Sequence, residues 1–244
     1  MTKEDTLLNE DIQPSQQLKE SKPIWIPIES NPDVLNKIIH ENGVDPTWSF
    51  IDILGFDEES IAELPNQVAA IIFLFADTEN YLQFRDREDA HLKIHEQSIS
   101  PNLMYFKQTI THACGMMALL HSLANNAHLV GPGPFSKIIE DTSNMSPEER
   151  GEYLETCQEL AKIHDSAARQ GQSKIPSQDS IIHHFVCFVN VDDHLYELDG
   201  SRVFPINHGK STNFVKDAVA IMTQAVGRDP DENEYSAIAF AKTA

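Results

Sequence analysis

Two apolar runs of strand-like composition limit the folds that this chain can adopt. "VAAIIFLF" at residues 68–75 is uninterrupted, and "FVCFV" at 185–189 is rich in β-branched and aromatic residues. Runs of this length and composition are typical of strands buried inside a sheet. "HLYEL" at 194–198 reads as the neighbouring strand, and the pair Asp192–Asp193 between the two strands predicts a tight antiparallel hairpin.

Helical segments alternate irregularly with these strands. Asn31 is a candidate N-cap followed by Pro32, and Gly43 is placed to end that helix. Ser146 and Glu149 have the spacing of a capping box, and we expect one helix from there across 146–167. Further helices are predicted over 84–97, 114–124 and 213–227, and a last strand over 235–241. Helices mixed with partly antiparallel strands predict an α+β domain.

The domain boundary is predicted from composition. Residues 1–22 are polar and acidic without apolar periodicity, so we expect a disordered tail followed by a folded domain over 23–244. Hydrophobic residues make up 41% of the chain, enough for a sizeable core. No apolar run approaches the roughly 20 residues of a membrane span, and the first residues lack a signal-peptide core. These features favour the cytoplasm, with the nucleus also open.

Net charge and cysteine content limit the classes of binding partner and the cellular compartment that we expect for this chain. The net charge of −20 disfavours nucleic acid and would attract a cationic ligand or segment, although it is equally compatible with a role in solubility. Only Cys114, Cys157 and Cys187 are present, which suits a reducing compartment and not a disulfide framework. We expect a monomer with neither a nucleic-acid nor a membrane partner.

Cys114 stands where a polar stretch becomes the predicted helix 114–124. Unpaired backbone N–H groups and partial positive charge at a helix N-terminus favour a thiolate, the reactive form of cysteine. Gly115 would let a substrate backbone approach closely. The alternative is a structural cysteine in the core, which is the commoner use of a lone cysteine in an apolar helix.

A cysteine nucleophile needs a general base, and the register of the predicted hairpin indicates which histidine could serve as that base. A two-residue turn places His184 opposite Ser201, so Asp199 is its diagonal neighbour on the same face. The turn length therefore selects His184 as the imidazole that Asp199 orients, whereas a three-residue turn would select His183. Gln108, six residues before Cys114, could donate its amide to an oxyanion.

Two other segments have candidate roles. His91 and His95 are spaced i, i+4 and could face one metal ion, but the glutamate of a HExxH motif and a third ligand are missing. A solvated surface helix is the favoured interpretation, and we expect no metal or cofactor. "ARQGQSKIPSQDS" at 168–180 has the composition of a long loop, for which a lid is one use.

Several separate motifs resemble one known family. They are "WIPIESNPDV", "QTI..ACG...LLH...NN", "MSPEER..YLE", "HF...V.VD.HLYELDG", "FPINHG" and "RDPDE". From about Trp25 to its end, the chain is similar to the ubiquitin carboxyl-terminal hydrolases, papain-like cysteine peptidases, and most of all to the short single-domain members. The resemblance implies a central, mostly antiparallel sheet flanked by helices, with a knotted backbone.

The same resemblance implies roles for individual residues. Cys114 would be the nucleophile, His184 the general base and acid, Asp199 its orienting carboxylate and Gln108 the oxyanion donor. A crossover loop over about 164–178 would filter leaving groups. The implied substrate contacts are Pro27, Ile28, Glu29, Asn31, Pro32, Ala167, Gln170, Gly171, Gln172, Glu232 and Tyr235.

The implied activity is release of small adducts, short peptides or precursor extensions from the C-terminal glycine of ubiquitin, or of a ubiquitin-like modifier. An alternative is a ubiquitin-binding protein with little turnover, which sequesters free ubiquitin. Two departures keep that alternative open: His112 and Met116 stand where the family usually has asparagine and threonine around the cysteine.

Overall fold

A single antiparallel sheet organises the part of the chain that the computed structural model describes, residues 23–171 and 182–244. All of its pairings within those ranges are antiparallel, and the spatial order is β1-β6-β2-β3-β4-β5. The strands are β1 (Trp48–Asp52), β2 (Val68–Ala76), β3 (His183–Val191), β4 (His194–Leu198), β5 (Ile206–Lys210) and β6 (Ser236–Lys242). The predicted tail over 1–22 lies outside the described residues.

The hairpin between β3 and β4 has the predicted two-residue turn. Val191 pairs with His194, and the turn residues Asp192 and Asp193 both have left-handed backbones, with φ of 51° and 61°. This conformation matches the twist of the strands, although glycine or asparagine adopts it more readily than aspartate. The resulting register places His184 and Asp199 on the same face of the sheet.

Helices cover both faces of the sheet. Helix α4 is apolar all round and packs on one face against β3 and β2, so that its residues after Cys114 are buried. Helix α8 packs on the other face through Ala218, Val219 and Met222, beside Tyr81 of α3. The helices are α1 (Pro32–Glu41), α2 (Glu58–Ala62), α3 (Glu79–Ile94), α4 (Cys114–Ala124), α5 (Pro134–Thr142), α6 (Pro147–Thr156), α7 (Gln158–Ala168) and α8 (Phe214–Gly227).

The local signals for helix ends are confirmed at both sites where they were strongest. The Asn31 side chain accepts a hydrogen bond from the N–H of Asp33, and Gly43 follows α1 with a φ of 104°. The Ser146 side chain accepts from the N–H of Glu149 at 3.2 Å, and the Glu149 carboxylate accepts from the N–H of Ser146 at 2.7 Å. This is the reciprocal pattern of a capping box.

Two expectations about the segment that follows were wrong. The single helix predicted over 146–167 is two helices, because Cys157 has an extended ψ of 92° that ends α6 before α7 begins. The crossover loop predicted from about 164 begins later, since α7 continues to Ala168. The remainder of that loop falls largely outside the described residues.

The N-terminal end of the described chain runs beside the loop that precedes α4. Ile24 forms a parallel bridge with Thr111, whose N–H donates to the carbonyl of Pro23 at 3.0 Å. In return the N–H of Trp25 donates to the carbonyl of Thr111, also at 3.0 Å.

The α+β class is confirmed, with a central antiparallel sheet between helices. None of the described helices is both long and apolar enough to span a bilayer.

Candidate active site

The sulfur of Cys114 lies at the very start of α4. Cys114 is the first residue of this helix, and Ala113 at the N-cap offers no side-chain cap, so the first backbone N–H groups are available to a ligand. The Cys114 side chain is only partly buried, whereas Gly115 and Met116 behind it are fully packed. The predicted position of the thiol at a helix N-terminus is therefore confirmed.

The expected role of Gly115 needs correction. A Cβ atom there would lie 3.0 Å from Cγ1 of Ile28 and 3.3 Å from the ring of Phe185. The space above this glycine is thus filled by the protein's own side chains, and its function is close packing and not the approach of a substrate backbone. Met116 also points into the core, since none of its surface is exposed.

A cavity of about 910 Å³ opens in front of the thiol. It is lined by Cys114 and His184 together with Gln108 and His112, so three of the four predicted catalytic residues meet there. The N-terminal segment forms another part of its wall through Pro27, Ile28, Glu29, Ser30, Asn31 and Pro32. All five substrate contacts predicted in that segment therefore reach the cavity.

Asp199, the fourth predicted residue, lies behind the imidazole of His184. Its Oδ1 is 2.8 Å from Nε2 of His184, close enough for an ion pair. The same oxygen accepts the N–H of Ser201 at 2.8 Å, and the hydroxyl of Tyr105 donates to the Asp199 carbonyl at 2.6 Å. Asp199 is 1% exposed, so these contacts hold it rigidly beside the ring.

Two opposing effects set the pKa values of His184 and Asp199. Burial disfavours the charged form of each residue, and the opposite charge of the partner favours it. Burial disfavours the protonated form of His184, but the carboxylate of Asp199 and the Cys114 thiol outweigh it and raise the pKa of His184 well above its ordinary value. Burial likewise disfavours ionised Asp199, and the opposite charge of His184 holds the pKa of Asp199 below its usual range. The protonated form of the His184 imidazole is therefore stabilised inside the site.

Gln108 is held next to the cavity by its backbone. Its N–H donates to the carbonyl of Gly200 at 2.8 Å, and a Cβ atom on Gly200 would meet the Cβ of Gln108 at 3.0 Å. The loop after β4 and the loop before α4 are therefore in direct contact. This contact places Gln108 next to Gly200, the residue that follows Asp199. The side-chain oxygen of Gln108 is buried without a hydrogen-bond partner in the described residues.

His183, the alternative that a longer turn would have selected, lines the same cavity but has a different partner. Its Nε2 is 3.0 Å from the Glu234 carboxylate, away from Asp199. His91 and His95 stack with ring centroids 4.4 Å apart on α3. Across residues 23–171 and 182–244 no group of three His, Cys, Asp or Glu side chains could hold a metal ion.

The remaining predicted substrate contacts lie outside the cavity wall. Ala167 is fully buried in α7, so the prediction that it contacts a substrate is wrong. Gly171 packs against the Glu29 side chain, and the Gln170 amide caps the end of α7 through Ser166. Gln172 lies outside the described residues.

The segment before β6 carries the last two predicted contacts. Tyr235 is 43% exposed and stacks on Phe56, with the ring centroids 5.7 Å apart. The Glu232 carboxylate accepts the N–H of Glu234 at 2.8 Å on the surface. Both remain accessible to a protein partner.

Sequence reasoning missed several residues of the cavity wall. Asp52 ends β1 and Asp77 directly follows β2, and both line the cavity together with Leu74 and Ser236. The available signal was a carboxylate at the end of a predicted buried strand, because strand ends converge at one edge of a sheet. Phe75 was also missed; its ring meets that of His184 edge-on, with the centroids 6.3 Å apart.

Comparison with known proteins agrees with this geometry. The family model described as "Ubiquitin carboxyl-terminal hydrolase, family 1" matches residues 25–226. A Drosophila melanogaster ubiquitin carboxyl-terminal hydrolase is 39% identical over 219 residues, covering 88% of this chain and 96% of that protein. The human ubiquitin carboxyl-terminal hydrolase isozyme L1 is 37% identical, covering 89% of this chain and 98% of its own length.

A solved structure shares the fold. The catalytic domain of Trichinella spiralis UCH37, crystallised bound to ubiquitin vinyl methyl ester, superposes with a TM-score of 0.69. The superposition covers 89% of this chain and 95% of that chain at 24% sequence identity. The family match over most of the sequence, joined to relatives of this similarity, shows that the chain belongs to the ubiquitin carboxyl-terminal hydrolases, family 1.

Proposed function

We propose that this protein is a cysteine-type deubiquitinase that hydrolyses the bond after the C-terminal glycine of ubiquitin or a ubiquitin-like modifier. Its products would be small adducts, short peptides or precursor extensions released from that glycine. The observation that carries the proposal is the meeting of the Cys114 sulfur and the His184–Asp199 ion pair at one open cavity. A thiol, an imidazole and an orienting carboxylate are the parts that nucleophilic acyl transfer requires.

The mechanism follows from the positions of these groups. The Cys114 thiolate attacks the carbonyl carbon of the terminal glycine, and the oxygen gains negative charge. We assign the stabilisation of that oxyanion to the Gln108 amide and the N–H groups at the start of α4, because Gln108 and Cys114 line the same cavity. His184 gives its proton to the departing amine, which leaves a thioester on Cys114. The neutral imidazole then takes a proton from water as the water attacks the thioester.

The charge of the cavity supports a cationic peptide as ligand. Glu29, Asp52 and Asp77 line it, and no lysine or arginine does so among the described residues. The tail of ubiquitin is rich in arginine and ends in two glycines, so an acidic groove would attract it. The exposed Tyr235 and Glu232 would contact the folded part of the modifier.

One observation supports a second candidate function, a ubiquitin-binding protein with little turnover. His112, two residues before the thiol, has a left-handed φ of 62° and lines the cavity. A bulky imidazole in this wall would hinder the approach of a substrate carbonyl to the thiol. Binding without turnover would then be the main activity.

A ubiquitin probe with a C-terminal electrophile separates the two functions. The enzyme predicts rapid covalent capture at Cys114, loss of capture in Cys114→Ala, and full capture in the matched variant Cys157→Ala, because Cys157 is also partly exposed but lies away from the cavity. Release of an aminocoumarin from the ubiquitin C-terminus should follow the same pattern. Tight ubiquitin binding without capture or release would support the sequestering protein instead.

Three properties of the protein in the cell belong to the same proposal. A reactive thiol and three unpaired cysteines suit a reducing compartment, which supports a location in the cytoplasm or nucleus. We propose that the protein acts as a monomer, because Cys114, His184, Asp199 and Gln108 meet at one site within a single chain fold. Ubiquitin or a ubiquitin-like protein is the proposed partner, and the acidic charge disfavours nucleic acid.

A further inference from the structure

Arg202 is a buried arginine that joins helix α3 to the loop after β4. Its side chain is 1% exposed, and Nη1 of its guanidinium lies 2.7 Å from a carboxylate oxygen of Glu88. Nη2 and Nε both donate to Oδ1 of Asp89, at 2.5 Å and 3.0 Å. A guanidinium that pairs with two carboxylates fixes direction as well as distance, because its donors are held in a rigid plane. The cluster therefore ties one short loop to one point on α3.

This ion cluster contributes a fixed position more than it contributes stability. Removing ions from water is costly, and replacing a buried ion pair by well-packed apolar side chains is often neutral or stabilising. Apolar packing of α3 is limited, since Tyr81 is the only buried residue in Glu79–Ile94. The cluster around Arg202 therefore supplies a defined orientation between α3 and the loop, which this limited apolar packing would fix less well.

Arg202 ends the loop that carries Asp199. The N–H of Arg202 donates to the Asp199 carbonyl at 3.0 Å, and the hydroxyl of Tyr105 lies 2.6 Å and 2.8 Å from the carbonyl oxygens of Asp199 and Arg202. The Asp199 carboxylate is held within the same loop, because its Oδ1 accepts the N–H of Ser201. A displacement of Arg202 would therefore be passed on to the carboxylate that pairs with His184.

We propose that Arg202 is a positioning residue for hydrolysis, which holds the loop of Asp199 in place through Glu88 and Asp89. This inference rests on the proposed hydrolase function. The Arg202 side chain is too deeply buried to contact a substrate, and it lies outside the wall of the catalytic cavity. Its effect on the reaction passes through Asp199. Loss of Arg202 should therefore lower kcat, which depends on the orientation of the imidazole, and leave substrate binding unchanged.

The first test measures kcat and KM for release of aminocoumarin from ubiquitin, using the full chain well below the melting temperature of each variant. Arg202→Gln should lower kcat by about tenfold at unchanged KM, because a small misplacement of a catalytic group costs up to about a hundredfold in rate. Arg228→Gln is the matched control and should keep the wild-type kcat. It removes the same charge, and Arg228 also contacts α3, with its guanidinium carbon 3.6 Å from the centre of the Phe84 ring. An unchanged kcat in Arg202→Gln, or a raised KM at unchanged kcat, overturns the proposal.

A milder variant keeps the proposal falsifiable where Arg202→Gln does not fold. Asp89→Asn removes one carboxylate of the cluster and leaves Glu88 paired with Arg202. It should lower kcat by less than Arg202→Gln does, again at unchanged KM. Asp86→Asn is its control, because this exposed aspartate lies on the same helix and carries the same charge. Wild-type kcat in Asp89→Asn, or an equal loss in Asp86→Asn, contradicts the proposal.

A double-mutant cycle separates positioning from general support of the fold. In the Asp199→Asn background the carboxylate that Arg202 positions is already lost, so adding Arg202→Gln should lower kcat by less than about twofold. A further loss as large as in the wild-type background would show that Arg202 acts independently of Asp199, which overturns the proposal. A lower melting temperature of Arg202→Gln with wild-type kcat would assign Arg202 to the fold alone and also overturn it. Absence of aminocoumarin release by the wild type would instead refute the hydrolase function, which is a separate outcome.

Discussion

Nε2 of His184 lies 2.8 Å from Oδ1 of Asp199, so the start of β3 contacts the residue that directly follows β4. A second acid–imidazole pair joins β4 to β5, where Nε2 of His208 is 2.9 Å from the Glu197 carboxylate. Only the first pair faces the cavity that contains the thiol. The two pairs therefore provide a built-in comparison between a catalytic and a structural ion pair.

Asp199→Asn should lower kcat by roughly a thousandfold, because the amide keeps the size of the carboxylate but removes the charge that stabilises the imidazolium. Glu197→Gln is the matched control and should retain turnover while losing stability. Release of aminocoumarin from ubiquitin measures both. Similar kcat values for Asp199→Asn and Glu197→Gln would contradict the assignment of Asp199.

Gln108→Ala should lower kcat by about a hundredfold and leave KM nearly unchanged, since an oxyanion donor acts in the transition state and not on the bound substrate. Gln83→Ala provides the control, because the Gln83 amide donates to Glu79 on the exposed surface of α3 and lies outside the cavity wall. Steady-state kinetics with ubiquitin aminocoumarin measures both constants. A rise in KM at constant kcat would show that Gln108 binds substrate and does not hold the oxyanion.

His112→Asn distinguishes the two imidazoles near the thiol. Asparagine adopts the left-handed backbone of this position more readily than histidine, so we expect a small rise in melting temperature and no loss of kcat. His184→Asn, by contrast, should be almost inactive. If His112→Asn lost as much activity as His184→Asn, the general base would have to be reassigned to His112.

His121 should make the fold sensitive to mild acid. Its ring is completely buried in α4, its Nε2 accepts the N–H of Phe106 at 3.0 Å, and burial lowers the pKa of His121 to about 4. Between that value and the ordinary pKa near 6.5, the unfolded chain binds a proton that the folded chain does not. The free energy of unfolding therefore falls as the pH falls, by about 2 kcal/mol between pH 7.5 and pH 5 for this group.

Urea unfolding of the wild type and His121→Gln at both pH values tests this. The difference between the two proteins isolates His121 from other titrating groups, including His184, whose raised pKa acts with the opposite sign. The variant is expected to be less stable at pH 7.5 but to lose about 2 kcal/mol less on acidification. Equal losses in both proteins would refute the assignment.

The sequence predicted those parts of the site that depend on short-range geometry. Turn length alone placed His184 and Asp199 on one face, and helix-capping residues located the ends of α1 and α6. The start of α4 at Cys114 followed from the change from polar to apolar residues. Each of these depends on contacts between residues that are close in the chain.

The missed features depend on contacts between distant segments. β6 inserts between β1 and β2, and no local pattern reports that order. The packing of Ile28 over Gly115 and the position of Asp77 at the cavity arise from the same long-range assembly. The break at Cys157 was missed because its neighbours on both sides have ordinary helical composition.

The backbone clamp between Trp25 and Thr111 has a mechanical consequence. Among the residues that the structure describes, two backbone hydrogen bonds join the segment from Pro23 to Trp25 to Thr111, three residues before the thiol, whereas β6 is held by ladders on both sides. A pulling force applied at the N-terminal side would break these two hydrogen bonds before it separated any strand from the sheet. Force on that end of the chain would therefore reach the catalytic loop while the rest of the domain is still intact.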